Sequence, residues 1–229
     1  MSTIETAPGT ALVRLLHLVS PALPVGAYAW SHGLESAVEQ SWVVDEKQAR
    51  DWILGLLGHT LASVDAPVLY RMCAAWKRSD QAGAERWNQL LRATRETAEL
   101  AAEDCHIGRA LARLLADLGI AEARVWAARD EVSYPLMFAL AAARWGVGTG
   151  DAVQGYLWSW TENQTAAAVR LVPLGQTAGQ RILYQATDRI ERIAHDAAHM
   201  ADEQIGATAP GLAAVSALHE TQYSRLFRS

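Results

Sequence analysis

The residues best suited to chemistry in this chain are few. His195 and His199 stand four apart, so a helix would put both imidazoles on one face, where two ring nitrogens could share a metal ion. Glu191 and Asp202 are close to them in the sequence. The pair lacks the glutamate of an HExxH motif, and two histidines at this spacing more often form a solvated helix face. They are the best metal candidates here and weak ones, so the expected metal set is none. Cys105 and His106 are neighbours, but adjacent helical side chains point about 100° apart, which favours packing over a thiolate–imidazole pair. Gly146-Val147-Gly148-Thr149-Gly150 has glycines without the lysine and hydroxyl that grip phosphate and magnesium, and reads as a turn between helices. Ser20, Ser31 and Ser216 lack a nucleophile-elbow context. His17 reads as a partly buried residue at a helix end and His59 as a surface histidine. No catalytic residue and no cofactor emerge, and a non-enzymatic role is expected.

Three stretches are instead suited to recognition. Ser20 to Glu35 packs Pro21, Pro24, Gly26, Gly33, Tyr28, Trp30 and the His32/Glu35 pair into a segment with little backbone freedom and amphipathic side chains, both useful at an interface. Ala168 to Thr177 holds a lone Arg170 among apolar residues, which either pairs internally or points at a partner. Chain ends are normally small, polar and disordered. This one runs His219-Glu220-Thr221-Gln222-Tyr223-Ser224-Arg225-Leu226-Phe227-Arg228-Ser229, and tyrosine and arginine are typical interface anchors. The plain alternative is that the tail docks on its own domain.

Helices must position these residues. Apolar residues recur at helical spacing along most of the chain, and nothing alternates with period two for long. Helices are expected over Ala11–Val19, stopped by Pro21 and Pro24, over Ser31–Gln40 with Ser31 as N-cap, and from Asp45 with Trp52, Ile53, Leu56, Leu57 and Leu61 on one stripe. Asp65-Ala66-Pro67 reads as the cap and first turn of another. A long segment from Ala84 to Leu118 follows, interrupted at Gly108 and ended by Gly119. Pro135–Trp145, Asp151 towards Pro173, Gly175–Met200 and Pro210–Leu218 complete the set, and Val169–Val172 could instead form a strand. The expected architecture is all-α, one bundle of roughly ten helices over residues 1–229, with a flexible 1–10 and a partner-docking tail at 220–229.

Composition narrows the class. Hydrophobic residues make up 51% of 229, enough for a substantial core, and alanine carries much of that share, which suits close helix packing. The formal charge of −5 with interspersed signs argues against a nucleic-acid partner. Leu12 to Leu23 is too short to span a bilayer and contains Arg14 and His17, so no membrane partner is expected. Cys73 and Cys105, without a CxxC, fit a reducing cytoplasm better than a disulfide framework or a zinc site.

The run from Ser20 to Glu35 resembles the signature of the UreF urease accessory proteins. So do Thr94-Arg95-Glu96 with Gly108 after it, Leu171 to Gln176, and His219 to Ser229. The motifs fall in the family's order over almost the whole chain. Departures are single residues: Thr97-Ala98 where Leu-Arg is usual, Tyr134 where a histidine often precedes Pro135, and Arg170 where lysine is common. The resemblance implies an all-α fold that dimerises and a complex with the accessory protein UreD (also called UreH), the nickel-carrying GTPase UreG and apo-urease. It implies that UreF bridges these partners and regulates GTP-dependent nickel delivery. By the same resemblance the partner-binding residues are Tyr28, His32, Glu35, Arg95, Glu96, Arg170, Gln176, His219, Glu220, Tyr223, Arg225, Leu226, Phe227 and Arg228. The rival reading is a metal-binding or metal-storage bundle built on His195 and His199. A carboxylate-bridged bundle needs paired Glu-x-x-His motifs on several helices, and no second such motif is present.

Overall fold

The computed structural model describes residues 8–228. The expected flexibility of residues 1–10 therefore falls mostly outside the described residues, as does Ser229. The chain forms α1 (Pro8–Leu18), a 3-10 turn at Ala27–Ala29, α2 (Leu34–Glu39), α3 (Glu46–Leu56), a π-helical segment Leu57–Asp65, α4 (Ala66–Lys77), α5 (Gln81–Ala93) and α6 (Ala98–Asp117). It continues with α7 (Ala121–Ala127), α8 (Tyr134–Arg144), α9 (Thr149–Leu171), α10 (Gln176–His199), a 3-10 turn at Asp202–Gln204 and α11 (Pro210–His219). Because α3, the π segment and α4 are one continuous rod, the described residues form ten helices and no strand.

The centre of the molecule is α8. Every residue from Pro135 to Ala142 is buried, as expected of a helix apolar on all sides. It starts where Ser133 Oγ accepts from Leu136 N, with proline in the first turn. Around it pack α4, α5, α6 and α9, and α10 lies along α9. Trp76 and Trp126 meet edge to face with centroids 6.4 Å apart, and the Trp76 indole donates to Leu136 O at 3.2 Å. A second apolar cluster joins Leu34, Ala37 and Val43 to Ile53, Ala168, Ile182, Val215 and Phe227, tying the N-terminal loop region to α9, α10 and the chain end.

Four expectations are corrected. Asp65 does not start a helix: its backbone is helical on both sides and its side chain caps nothing. Pro67 cannot donate to the carbonyl four residues back and would crowd it. The preceding turns widen to π geometry, with Ala66 N donating to Leu61 O, and the orphaned Ser63 carbonyl accepts from Gly206 N at 3.1 Å. The Ala84–Leu118 segment is broken not at Gly108 but at Thr94–Thr97, where Thr97 Oγ1 caps α6 by accepting from Leu100 N. Gly108 lies inside α6, where an added Cβ would come within 2.2 Å of Val132 O. Val169–Leu171 finishes α9, and no strand forms there. The helix expected from Ser31 begins at Leu34 after Gly33 in the left-handed region, although Ser31 Oγ still accepts from Glu35 N.

Among the described residues one helix, Glu46–Lys77, is long and apolar enough to cross a membrane by length and composition. It is instead the core rod, with α5, α8, α9 and α10 packed along its α4 part.

Candidate functional site

The break between α5 and α6 places Arg95 over the C-terminal end of the π segment. Its guanidinium spans Asp65, with Nη2–Oδ1 2.7 Å and Nη1–Oδ2 3.2 Å, while Nε donates to Asp104 Oδ2 at 3.1 Å. Tyr156 Oη adds a hydrogen bond to Asp65 Oδ1, and Tyr134 N donates to Asp104 Oδ1 at 2.8 Å. All three charged side chains are almost wholly withdrawn from water. Burial opposes the Arg95 charge, but Asp65 and Asp104 outweigh it and hold the guanidinium well above its ordinary range. Burial pushes the Asp104 carboxyl up while Arg95 and the Tyr134 amide pull it back. Burial, reinforced by Asp65, also raises Tyr156, and burial pushes Tyr134 up to about 12. A cavity of about 60 Å³ adjoins this cluster, reached also by His32 and Glu103, and is no larger than a few water molecules.

A second arrangement holds the chain end. The Glu35 carboxylate, at the start of α2, accepts from the backbone amides of Leu226 at 2.6 Å and Phe227 at 2.8 Å. His219, fully buried at the end of α11, lies between two carboxylates: Nε2 is 3.3 Å from Glu35 and Nδ1 is 2.8 Å from Glu99. Arg225 Nη1 reaches the other Glu99 oxygen at 3.1 Å, and Arg228 N donates to Ala29 O at 2.8 Å. Phe227 is buried in the second apolar cluster, whereas Tyr223 is fully exposed and Leu226 is 66% exposed. The tail thus docks on its own domain through one side and turns a tyrosine and a leucine to the outside. Its Arg228 guanidinium sits 3.2 Å from His106. Burial together with Arg228, Arg109 and Arg113 lowers the His106 pKa.

The remaining candidates divide between inside and outside. His32 faces Glu103 at 3.3 Å and stands edge-on to Trp160. Its backbone has φ 53°, and the following Gly33 has φ 79°, a turn that aims the loop back across the domain. Glu96 accepts from Ala209 N at 3.0 Å, fixing the entry to α11. Tyr28 is half-buried against Glu162: burial, then that carboxylate, pushes its hydroxyl up to about 12, and burial raises Glu162. Arg170, near the end of α9, is exposed with no hydrogen bond or ion pair to the described residues. Gln176, first residue of α10, and Glu220 are exposed as well. His17 is exposed and stacks on Trp145, not partly buried as expected. His195 and His199 are both exposed on α10, and no group of three or more His, Cys, Asp or Glu among the described residues could hold a metal.

Sequence reasoning missed Asp65 as a buried ion partner, along with Asp104, Tyr156, Glu99 and Glu103. The available signal was carboxylates on otherwise apolar helical faces, which must find a cation or a donor when buried.

A model of the UreF family matches residues 43–187. "Urease accessory protein UreF" of Alkalilimnicola ehrlichii is 51% identical over 229 residues, covering 100% of both chains. "Urease accessory protein UreF 2" of Brucella anthropi is 46% identical over 97% of this chain and 98% of its own. The protein of the same name from Hahella chejuensis, "Urease accessory protein UreF", is 44% identical over 97% and 100%.

Proposed function

We propose that this chain, which belongs to the UreF family of urease accessory proteins, is a non-catalytic adaptor in urease maturation. It bridges UreD (UreH) and the GTPase UreG on apo-urease and governs GTP-dependent delivery of nickel to the metallocentre. It works in the cytoplasm, without a cofactor of its own and without nucleic acid or membrane.

The observation that carries this reading is the tail. An all-helical frame spends two carboxylates, the buried Glu35 and the partly buried Glu99, on holding His219, Arg225, Leu226 and Phe227 in one shape. Fixing that backbone removes the ordering cost a partner would otherwise face. What it displays, Tyr223 and Leu226 beside Arg225, has the composition of an interface anchor. This face is assigned to UreD. Arg170 at the far end of α9 is a cation without a partner among the described residues and is assigned to UreG. A second copy of the chain is assigned to the α1 face bearing Leu12, Val13 and Leu16, each more than half exposed.

The test is the double substitution Tyr223→Ala, Leu226→Ala, which removes the outward side chains and leaves the buried Phe227 and the amides on Glu35 in place. Helicity by circular dichroism is expected to stay near that of wild type, while co-purification with UreD is lost, since anchor residues typically contribute about 2 kcal/mol or more each. Retention of UreD at unchanged affinity would refute the assignment.

A further inference from the structure

His219 ends α11 fully buried, with a carboxylate against each ring nitrogen. Nε2 is 3.3 Å from Glu35 Oε2 and Nδ1 is 2.8 Å from Glu99 Oε2. An ionised carboxylate only accepts, and a neutral imidazole donates from one nitrogen alone. A neutral ring would therefore aim a lone pair at one of these oxygens. Both contacts are hydrogen bonds only when the ring carries two protons and a positive charge.

The local charge balance points the same way. Glu35 from α2 and Glu99 from α6 bring two negative charges to the ring, and Arg225 of the tail answers one of them, with Nη1 3.1 Å from Glu99 Oε1. Among the described residues no lysine or arginine pairs with Glu35, whose contacts are His219 and the amides of Leu226 and Phe227. A neutral His219 would leave that buried carboxylate without a counter-charge, which is costly. Glu35 Oε2 accepts from both Phe227 N and His219, so the carboxylate that loses its cation is the one that seats the tail. A second imidazole acts on the tail with the opposite sign. His106 Nε2 lies 3.2 Å from the Arg228 guanidinium, which can only donate, so protonating His106 would push Arg228 away. Burial together with Arg228, Arg109 and Arg113 lowers His106, which places that effect on the acid side of the ordinary imidazole range.

We propose that His219 is a proton-controlled latch for the chain end. The doubly protonated ring holds Arg225, Leu226 and Phe227 on α2 and α6, and loss of one ring proton releases them. The seated state holds the extra proton, so raising the pH shifts the equilibrium towards release, by up to about tenfold per pH unit. Seating is a property of the isolated chain. Only its consequence, that a rise in pH dissolves the face carrying Tyr223 and Leu226, rests on the adaptor reading.

The experiment uses the two phenylalanines of the chain, Phe138 in the core and Phe227 in the tail, both buried. Full-length protein labelled with para-fluorophenylalanine gives one ¹⁹F resonance from each. Between about pH 6 and about pH 9, above the range of ordinary carboxylates, the wild-type Phe227 resonance is expected to pass from a buried to a solvent-exposed shift while that of Phe138 stays. His219→Gln, neutral throughout, is expected to show Phe227 exposed across the whole range, and His106→Gln to keep the wild-type transition. The ¹⁵N spectrum of the wild-type imidazoles at about pH 6 is expected to show both His219 nitrogens protonated, a reading that needs no variant. Should Phe138 shift in His219→Gln, the wild-type measurements decide alone. A wild-type Phe227 resonance that does not move with pH, a buried Phe227 in His219→Gln, loss of the transition in His106→Gln, or a bare nitrogen on His219 at the acid end overturns the proposal.

Discussion

Arg95 shows how one side chain can fix three helices. It joins the π segment through Asp65, α6 through Asp104 and, through the hydrogen bond from the Tyr156 hydroxyl to Asp65, α9. The pair energy gained in such a site barely offsets desolvation, but removing one partner leaves buried carboxylates uncompensated. Arg95→Met is therefore expected to destabilise the fold by about 3–5 kcal/mol, read from the midpoint of urea unfolding. A loss under about 1 kcal/mol would mean that water already shares the site. The two thiols separate on the same physics. Cys73 is fully buried, and burial pushes its thiol up to about 12 despite Lys77 nearby. Since the thiolate is the nucleophile, native protein at pH 8 is expected to titrate one fast thiol with a disulfide reagent, Cys105, and the second only on unfolding. Two fast thiols would contradict the burial of Cys73.

At the level of elements, close backbone approach and broken hydrogen-bond ladders explain what periodicity leaves out. Gly108 lies in the middle of α6 because Val132 and Ser133 cross it at backbone distance, holding α6 against the entry to α8. Asn88 locks that crossing from α5, donating to Glu131 O and accepting from Ser133 N. Gly108→Ala must push main chain apart, since the obstructing atoms are two carbonyl oxygens and a carbonyl carbon. Overpacking of this kind costs about 1–3 kcal/mol. In a domain of this length that lowers Tm by roughly 2–4 °C per kcal/mol, a shift visible by calorimetry. An unchanged Tm would show that α6 can slide. The π segment answers a different constraint: Pro67 denies Ser63 its helical donor, and Gly206 supplies one from outside the rod. The same widening brings Asp65 to Arg95, so one proline sets the position of the central ion cluster.

Across the whole molecule the candidate partner residues fall into two kinds. Glu35, Arg95, Glu96, His219 and Phe227 hold the frame and tail in shape, while Arg170, Gln176, Tyr223 and Leu226 are offered to the outside. A frame-holding residue should affect every partner through stability, and an outward residue should affect one partner alone. Arg170→Ala is accordingly expected to leave unfolding unchanged and to alter GTP hydrolysis by UreG in the reconstituted complex by about fivefold, the effect of losing about 1 kcal/mol from an exposed charge pair. Arg170→Lys is expected to behave as wild type, because lysine keeps the positive charge that the proposed contact uses. If lysine and alanine fail alike, bidentate recognition is the better account; identical coupling in all three removes Arg170 from that interface.

The sequence by itself determined the all-α class and most helix ends set by Gly and Pro. These are local properties: Gly119 and Gly146 have positive φ where helices stop, Ser133 caps α8, and apolar spacing marks the buried face of α10. It also determined family membership, because the motifs from Ser20 to Ser229 are specific residue strings. Only the tertiary structure decided which charges are paired. Asp65 looked like a cap because cap propensity is read from three adjacent residues, whereas its partner Arg95 is thirty positions away. The tail could dock on a partner or on its own domain as far as its composition goes, and it is Glu35, 191 positions before Leu226, that holds one side of it down. A buried carboxylate is satisfied by whatever donor the folded chain brings within 3 Å, and one-dimensional spacing carries no record of that distance.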